Sequence, residues 1–337
     1  FNYIAKVIKS DMIVKIFKTI GPRTYFTSIF LIVFAVLFSF VLENKGAFLL
    51  EQWPSILGNI ILIVAFIAML TFLEIQHKGR KLGGVHLIAY PTTFLFLPSV
   101  LELKTIPVLE AILLILGQYV FIKTLHSKNK EKGMLDLSLI ISIIVQLNAS
   151  FAIFYLLPLL IFFNRGIKSA KDLLALLLPV FIIPFTFNGL SVILPSETVA
   201  LINPPIQVNP LKYHLLSSSD WVWLIALLLS VLVCALQLPR GHKKFSYPEY
   251  FSGFLYMTFW LIFSIVFGLL GLQIGVEFWL ISFIPAAYFF GGFLEKIKSD
   301  SLRNILFTSV FLGIVLFKLF DHGIMSLELL FGNGENS

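Results

Sequence analysis

One uninterrupted apolar block, Leu135–Phe163, constrains this chain more than any other stretch. It runs for 29 residues between two basic clusters: Lys123, Lys128, Lys130 and Lys132 before it, and Arg165, Lys168 and Lys171 after it. A helix rises ~1.5 Å per residue, and a bilayer core of ~30 Å takes about 20 residues to cross. The block is therefore too long for one upright crossing and too short for two full ones. Lys and Arg beside membrane spans mark cytoplasmic loops, so the chain enters and leaves this block on the same side. The reading that satisfies both facts is a helical hairpin. Its break falls at Gln146-Leu147-Asn148-Ala149-Ser150, where the apolar character lapses. Each limb then spans about 13 residues, ~20 Å of helix, and must be buried among neighbours because lipid cannot satisfy the backbone of a turn.

Further apolar blocks occur at Tyr25–Leu42, Ile56–Leu73, Val85–Leu101, Pro107–Leu125, Leu173–Leu190, Trp221–Leu238, Phe251–Leu270, Phe278–Phe293 and Ile305–Phe320. Composition agrees with them: 58% of residues are hydrophobic and 13% charged, against roughly half and a quarter in soluble domains. That excludes a soluble globular protein, and one cysteine, Cys234, excludes a disulfide scaffold. Continuous apolar blocks exclude an outer-membrane barrel, whose strands alternate over ~10 residues. The expected fold is all-α, a polytopic transmembrane bundle of about 11 membrane segments once the two limbs of 135–163 are counted separately.

The other basic clusters are Lys6, Lys9, Lys15, Lys18 and Arg23; Lys78, Arg80 and Lys81; Arg240, Lys243 and Lys244; and Lys296, Lys298 and Arg303. With the two that flank the hairpin, they hold 21 of the 25 Lys and Arg. All fall inside if the N-terminus is cytoplasmic and the C-terminus lies outside. Three parts follow: a lead-in over 1–24, one transmembrane domain over 25–320 and an outer tail over 321–337. The lead-in has lysines throughout and no small-residue cleavage site, and Met12 is a sensible start, which sets 1–11 upstream of it. The net charge of +7 is a cytoplasmic excess over an acidic outer face. It needs no nucleic acid; such loops are topology signals and contacts to lipid headgroups. The expected location is a bacterial inner membrane.

No phosphate-binding loop, dinucleotide turn or paired-cysteine motif is present, and the six histidines show no metal-ligand spacing. No cofactor or metal is identified. Glu110 and Asp136 stand near span ends, where snorkelling or helix-end capping accounts for them. The outer loops carry the better constellation. Glu43 and Glu51 bracket an apolar stretch in the first loop, Lys104 lies between two spans, and Lys212 and His214 sit in the longest loop. A carboxylate opposite cations at an outer interface suits a lipid-phosphate-dependent transferase. The base (Glu43 or Glu51) would activate an acceptor hydroxyl, and Lys104, Lys212 and His214 would stabilise the departing phosphate. Each residue alone also fits a solvated loop charge or an interfacial anchor.

Two stretches carry a resemblance. Met12-Ile-Val-Lys-Ile-Phe-Lys-Thr-Ile-Gly-Pro-Arg-Thr-Tyr-Phe precedes the first span, and Ala111 to Pro184 includes Phe154-Tyr-Leu-Leu-Pro-Leu-Leu-Ile-Phe-Phe-Asn-Arg165. Together they resemble an uncharacterised family of polytopic inner-membrane proteins from Bacteroidota, known only as a domain of unknown function. The short helical pair after the fourth span also resembles the core of the GT-C superfamily, polytopic glycosyltransferases that use polyprenyl-phosphate sugars. That resemblance implies a polyprenyl-phosphate lipid donor and an acidic base in the first outer loop, where Glu43 and Glu51 stand. GT-C first loops are usually long and carry Asp; this one is about 13 residues and carries Glu.

Three classes stay open: a GT-C-like membrane protein handling lipid-linked sugar at the outer face for envelope glycan assembly; a non-catalytic subunit of an envelope complex for glycan synthesis, secretion or gliding; and a transporter or flippase. The partners are membrane lipid and, for the second class, other envelope membrane proteins.

Overall fold

The computed structural model describes residues 22–43, single positions between 54 and 68, 105–165 apart from 128, 170–193, 218–237, 248–269 and 276–321. Among them every element is helical. In chain order these are α1 Pro22–Glu43, α2 Thr105–His126, α3 Lys130–Leu147, a 3-10 helix Ala149–Tyr155, α4 Leu156–Arg165, α5 Ala170–Ile193, α6 Ser218–Gln237, α7 Pro248–Leu269, α8 Val276–Lys296 and α9 Asp300–Asp321. Four of them are long and apolar enough to cross a membrane, over Tyr25–Leu42, Ile106–His126, Ala170–Leu190 and Asp300–Leu319. The expected span at 85–101 and half of the one at 56–73 lie outside the described residues, as do the lead-in before Pro22 and the tail beyond Asp321.

The long apolar block is broken at Asn148, inside the predicted polar patch. Asn148 adopts an extended conformation, φ −154° and ψ 106°, and its N–H donates to Ile144 O at 2.8 Å, closing α3. Its side-chain oxygen accepts from Ser150 N, opening the 3-10 helix. One asparagine thus ends one helix and starts the next, the role its short polar side chain suits. The chain then folds back: Ser142 Oγ and Tyr155 OH, 13 residues apart, hydrogen bond at 2.7 Å. In a continuous helix they would stand ~20 Å apart along the axis. The two limbs are unequal. The first is the 18-residue α3, and the second is the 3-10 helix followed by the 10-residue α4. Pro158 falls in the first turn of α4, where its missing N–H costs no helical bond.

The core gathers α2, α3, the 3-10 helix, α7 and α8. Trp260, Tyr256, Phe121, Phe154 and Phe289 are its largest fully buried side chains there. Phe154 packs edge-on against Phe259 and Phe263 with centroids 5.4 and 4.9 Å away, and Phe151 meets Phe263 at 5.5 Å. Small residues bring the backbones close, as between membrane helices in general. A Cβ on Gly133 would overlap the Thr124 side chain, and one on Gly117 would lie 2.9 Å from Tyr256 OH.

Pairwise contacts give relative directions. Leu114 meets Tyr256, Ile122 meets Gly253 and His126 meets Ser252, so α2 and α7 are antiparallel. Phe34 meets Phe311, and Ser39 meets Lys318, so α1 and α9 are parallel. Between α8 and α9, Arg303 donates from Nε to Leu294 O at 2.9 Å and from Nη2 to Ile297 O at 2.6 Å, with Asp300 at 3.6 Å. It thereby satisfies carbonyls that the end of α8 leaves without intrahelical partners.

Candidate functional site

Three places among the described residues bring polar side chains of different elements, or of the two limbs, together. The first is the apex of the fold-back. Ser142 Oγ donates to Ser138 O at 2.7 Å and shares a hydrogen bond with Tyr155 OH. Above this pair stand Gln146, Asn148 and Ser150, all half-buried, with Ala149 exposed beside them. The fold-back segment itself carries amides and hydroxyls, and from Leu137 to Asn164 the sequence has no Asp, Glu, Lys, Arg or His.

The second place is the α2–α7 seam near the connection from α2 to α3. His126 Nε2 and Ser252 Oγ lie 2.9 Å apart, and Gln118 and Tyr288 OH both approach Gly253. Tyr256 OH donates to Leu114 O at 2.7 Å higher in the same seam. That carbonyl already belongs to a helix, so the bond ties two helices together and leaves the tyrosine no free proton for chemistry. This seam reads as packing.

The third is the far end of α1 and α9. Lys318 is 2% exposed, and its Nζ donates to Ser39 Oγ at 2.9 Å. Burying an ammonium costs several kcal/mol unless hydrogen bonds and opposite charge compensate it, and this one sits in the last turn of α9, where the helix dipole favours a cation. Glu110, near the start of α2, is also buried at 3% exposure and does not snorkel to the surface as its sequence position suggested. Asp136 is exposed, but α3 begins at Lys130, so it stands seventh in the helix and not at the helix end the sequence suggested. Asp172 is buried in the first turn of α5, where the dipole favours an acid.

Of the residues picked from sequence, Glu43 is the final residue of α1, one turn beyond Ser39. Glu51, Lys104, Lys212 and His214 lie outside the described residues. The sequence reading passed over Lys318, which stood alone inside the block Ile305–Phe320; a lone lysine within an apolar span was the signal available for it. It also passed over the Ser142–Tyr155 pair, whose two members are brought together only by the reversal at Asn148. Among the described residues no group of three His, Cys, Asp or Glu converges on a common point. No protein-family model matches this chain, and neither does any curated protein or solved structure.

Proposed function

We propose that the chain is an 11-segment inner-membrane protein on a GT-C-like scaffold that handles polyprenyl-phosphate-linked sugar at the outer face of the membrane. The observation that carries the topology is the antiparallel pairing of α2 and α7. If 135–163 crossed once, α5, α6 and α7 would alternate so that α7 ran parallel to α2. If it enters and returns, α7 runs against α2, as it does. The parallel pairing of α1 with α9 supports the same parity over the whole chain. In this orientation the outer ends of α1 and α9 share one side, which sets Glu43 a helical turn past the Ser39–Lys318 pair.

The chemistry assigned to that face is base catalysis by Glu43 or Glu51, with Lys104, Lys212 and His214 receiving the lipid phosphate. Two tests separate topology from chemistry. Single cysteines at Lys130 and Lys168 should both resist an impermeant thiol reagent applied outside; labelling at 168 but not 130 would remove the re-entrant hairpin. Glu43→Gln and Glu51→Gln, each expressed at normal level, should differ in their ability to restore envelope glycans to a deletion strain. Full complementation by both would end the transferase reading and favour a non-catalytic subunit.

A further inference from the structure

We infer that the side of the α2–α3 pair turned away from the core docks an anionic phospholipid of the inner leaflet, its phosphate held between Lys123 and Lys132. This rests on the orientation proposed above, with the basic connection inside, and not on the transferase chemistry. The first support is register. A Cβ on Gly133 would overlap the Thr124 side chain, and one on Gly117 would lie 3.8 Å from both Leu137 and Ile140, so α2 and α3 run antiparallel in contact. In such a pair the residues just before two facing positions turn to the same side, because each lies ~100° back around its own axis. Lys123 and Lys132 stand just before Thr124 and Gly133, and they share one side of the pair.

The second support is exposure. Leu109, Leu116 and Lys123 follow one another seven residues apart down α2, with Leu109 and Lys123 exposed and Leu116 half-buried. On α3 the matching stripe is Lys132, Asp136 and Leu139, all exposed, and it continues into half-buried Ile143. Both stripes keep helical spacing, and the register sets them side by side. The apolar blocks of the two helices end at Leu125 and begin at Leu135, so both lysines stand within a turn of the hydrocarbon edge. One continuous face thus has two cations at headgroup level and leucines beneath them.

The third support is chemistry. The Lys123 ammonium lies 5.7 Å from the centre of the Tyr119 ring, turned back one turn along its stripe and away from the helix end. A cation held there meets a lipid phosphate, and basic sites between helices on the inner side bind anionic headgroups. Asp136 stands one turn along α3 from Lys132 on the same stripe. Two cations against one carboxylate leave a single positive charge in excess, which matches the one charge of a phosphate diester. A protein helix laid on this face would have to bury both ammonium groups, at a cost of several kcal/mol each; a lipid leaves them at the headgroup.

The test uses the full chain in detergent, stripped of native lipid and read by native mass spectrometry with added dioleoyl phosphatidylglycerol or dioleoyl phosphatidylcholine. Phosphatidylglycerol should be retained several-fold better, and Lys123→Gln with Lys132→Gln should abolish that preference. Lys123→Arg with Lys132→Arg keeps both charges and should preserve it, which separates lost charge from a folding defect. Lys296→Gln with Lys298→Gln removes two exposed lysines at the end of α8 and should leave the preference intact. An equal loss there assigns the lipid to the basic face as a whole and overturns the site, as does equal retention of the two lipids by the unaltered chain. Asp136→Asn should raise retention of phosphatidylglycerol; a fall would show that the carboxylate receives an amine-bearing headgroup and overturn the anionic assignment. Phosphatidylglycerol with a diazirine midway along one chain should crosslink to peptides containing Leu116 or Leu139, and crosslinks confined to other helices overturn the placement. The cysteines at 130 and 168 report orientation separately: labelling of both from outside would overturn the inner leaflet while the lysine pair stands.

Discussion

α2 and α5 are alike on paper and opposite in place. Both are apolar and long enough to span a bilayer, but 56% of the spanning stretch of α2 is buried inside the protein against 11% of that of α5. α9 sides with α5, also at 11%. Hydropathy does not separate the two kinds, because lipid tails and a protein core ask for the same apolar side chains. Glycine surroundings do separate them. A Cβ on Gly117, Gly133 or Gly253, in α2, α3 and α7, would press on a neighbouring helix, whereas one on Gly189 or Gly313, in α5 and α9, would meet nothing within 4 Å. The inner helices are packed by close approach of backbones. Of the outer two, α5 lies along α3 and turns Phe181, Phe185 and Val192 outward, and α9 exposes Leu302, Ile305 and Leu312.

The strongest blow to the inner set should be Trp260→Ala. Trp260 is fully buried, and removing a buried tryptophan should cost about 3–5 kcal/mol, read as a fall in the detergent denaturation midpoint. Gly133→Ala should come next, at about 1–3 kcal/mol for overpacking, with Thr124→Ala in the same chain recovering part of the loss, since the Cβ it keeps would still stand 2.7 Å away. Additive effects of that pair would show that the two helices are not pressed together there. Ser39→Ala, which takes a hydrogen bond from a buried ammonium, should cost about 1–3 kcal/mol; no change would mean that Lys318 rests on its other interactions. At the bottom of the scale, Phe185→Ala, at a position 80% exposed, should move stability within about 0.5 kcal/mol. Gly313→Ala should raise stability by up to about 1 kcal/mol. Glycine-to-alanine changes of opposite sign in α3 and α9 would sharpen the contrast; equal losses would break it.

The interruption at Asn148 was legible because it is local: a polar run within an apolar block, ending in the residue type that caps helices. The inequality of the two limbs was not, since nothing in the pattern distinguishes a 3-10 helix from an α-helix before Pro158. The described spans were legible from their length, and α6, α7 and α8 fall where apolar blocks were expected. Which of those helices lie inside was not, for the hydropathy reason above. The burial of Lys318 depends on Ser39, 279 residues away, and no window along the sequence contains both. The expected outer-loop constellation was chosen by charge and side alone. Its members other than Glu43 fall outside the described residues, so its geometry waits on the substitutions proposed above.

Arg303 has a consequence for any attempt to probe orientation by moving charge. In the sequence it counts toward a basic cluster that marks an inner loop; in the fold it also ties down the carbonyl ends of Leu294 and Ile297. Reversing its sign would remove those bonds at the end of α8 whatever it did to orientation, a confounded reporter. Lys298 belongs to the same cluster, and charge reversal there is the cleaner lever.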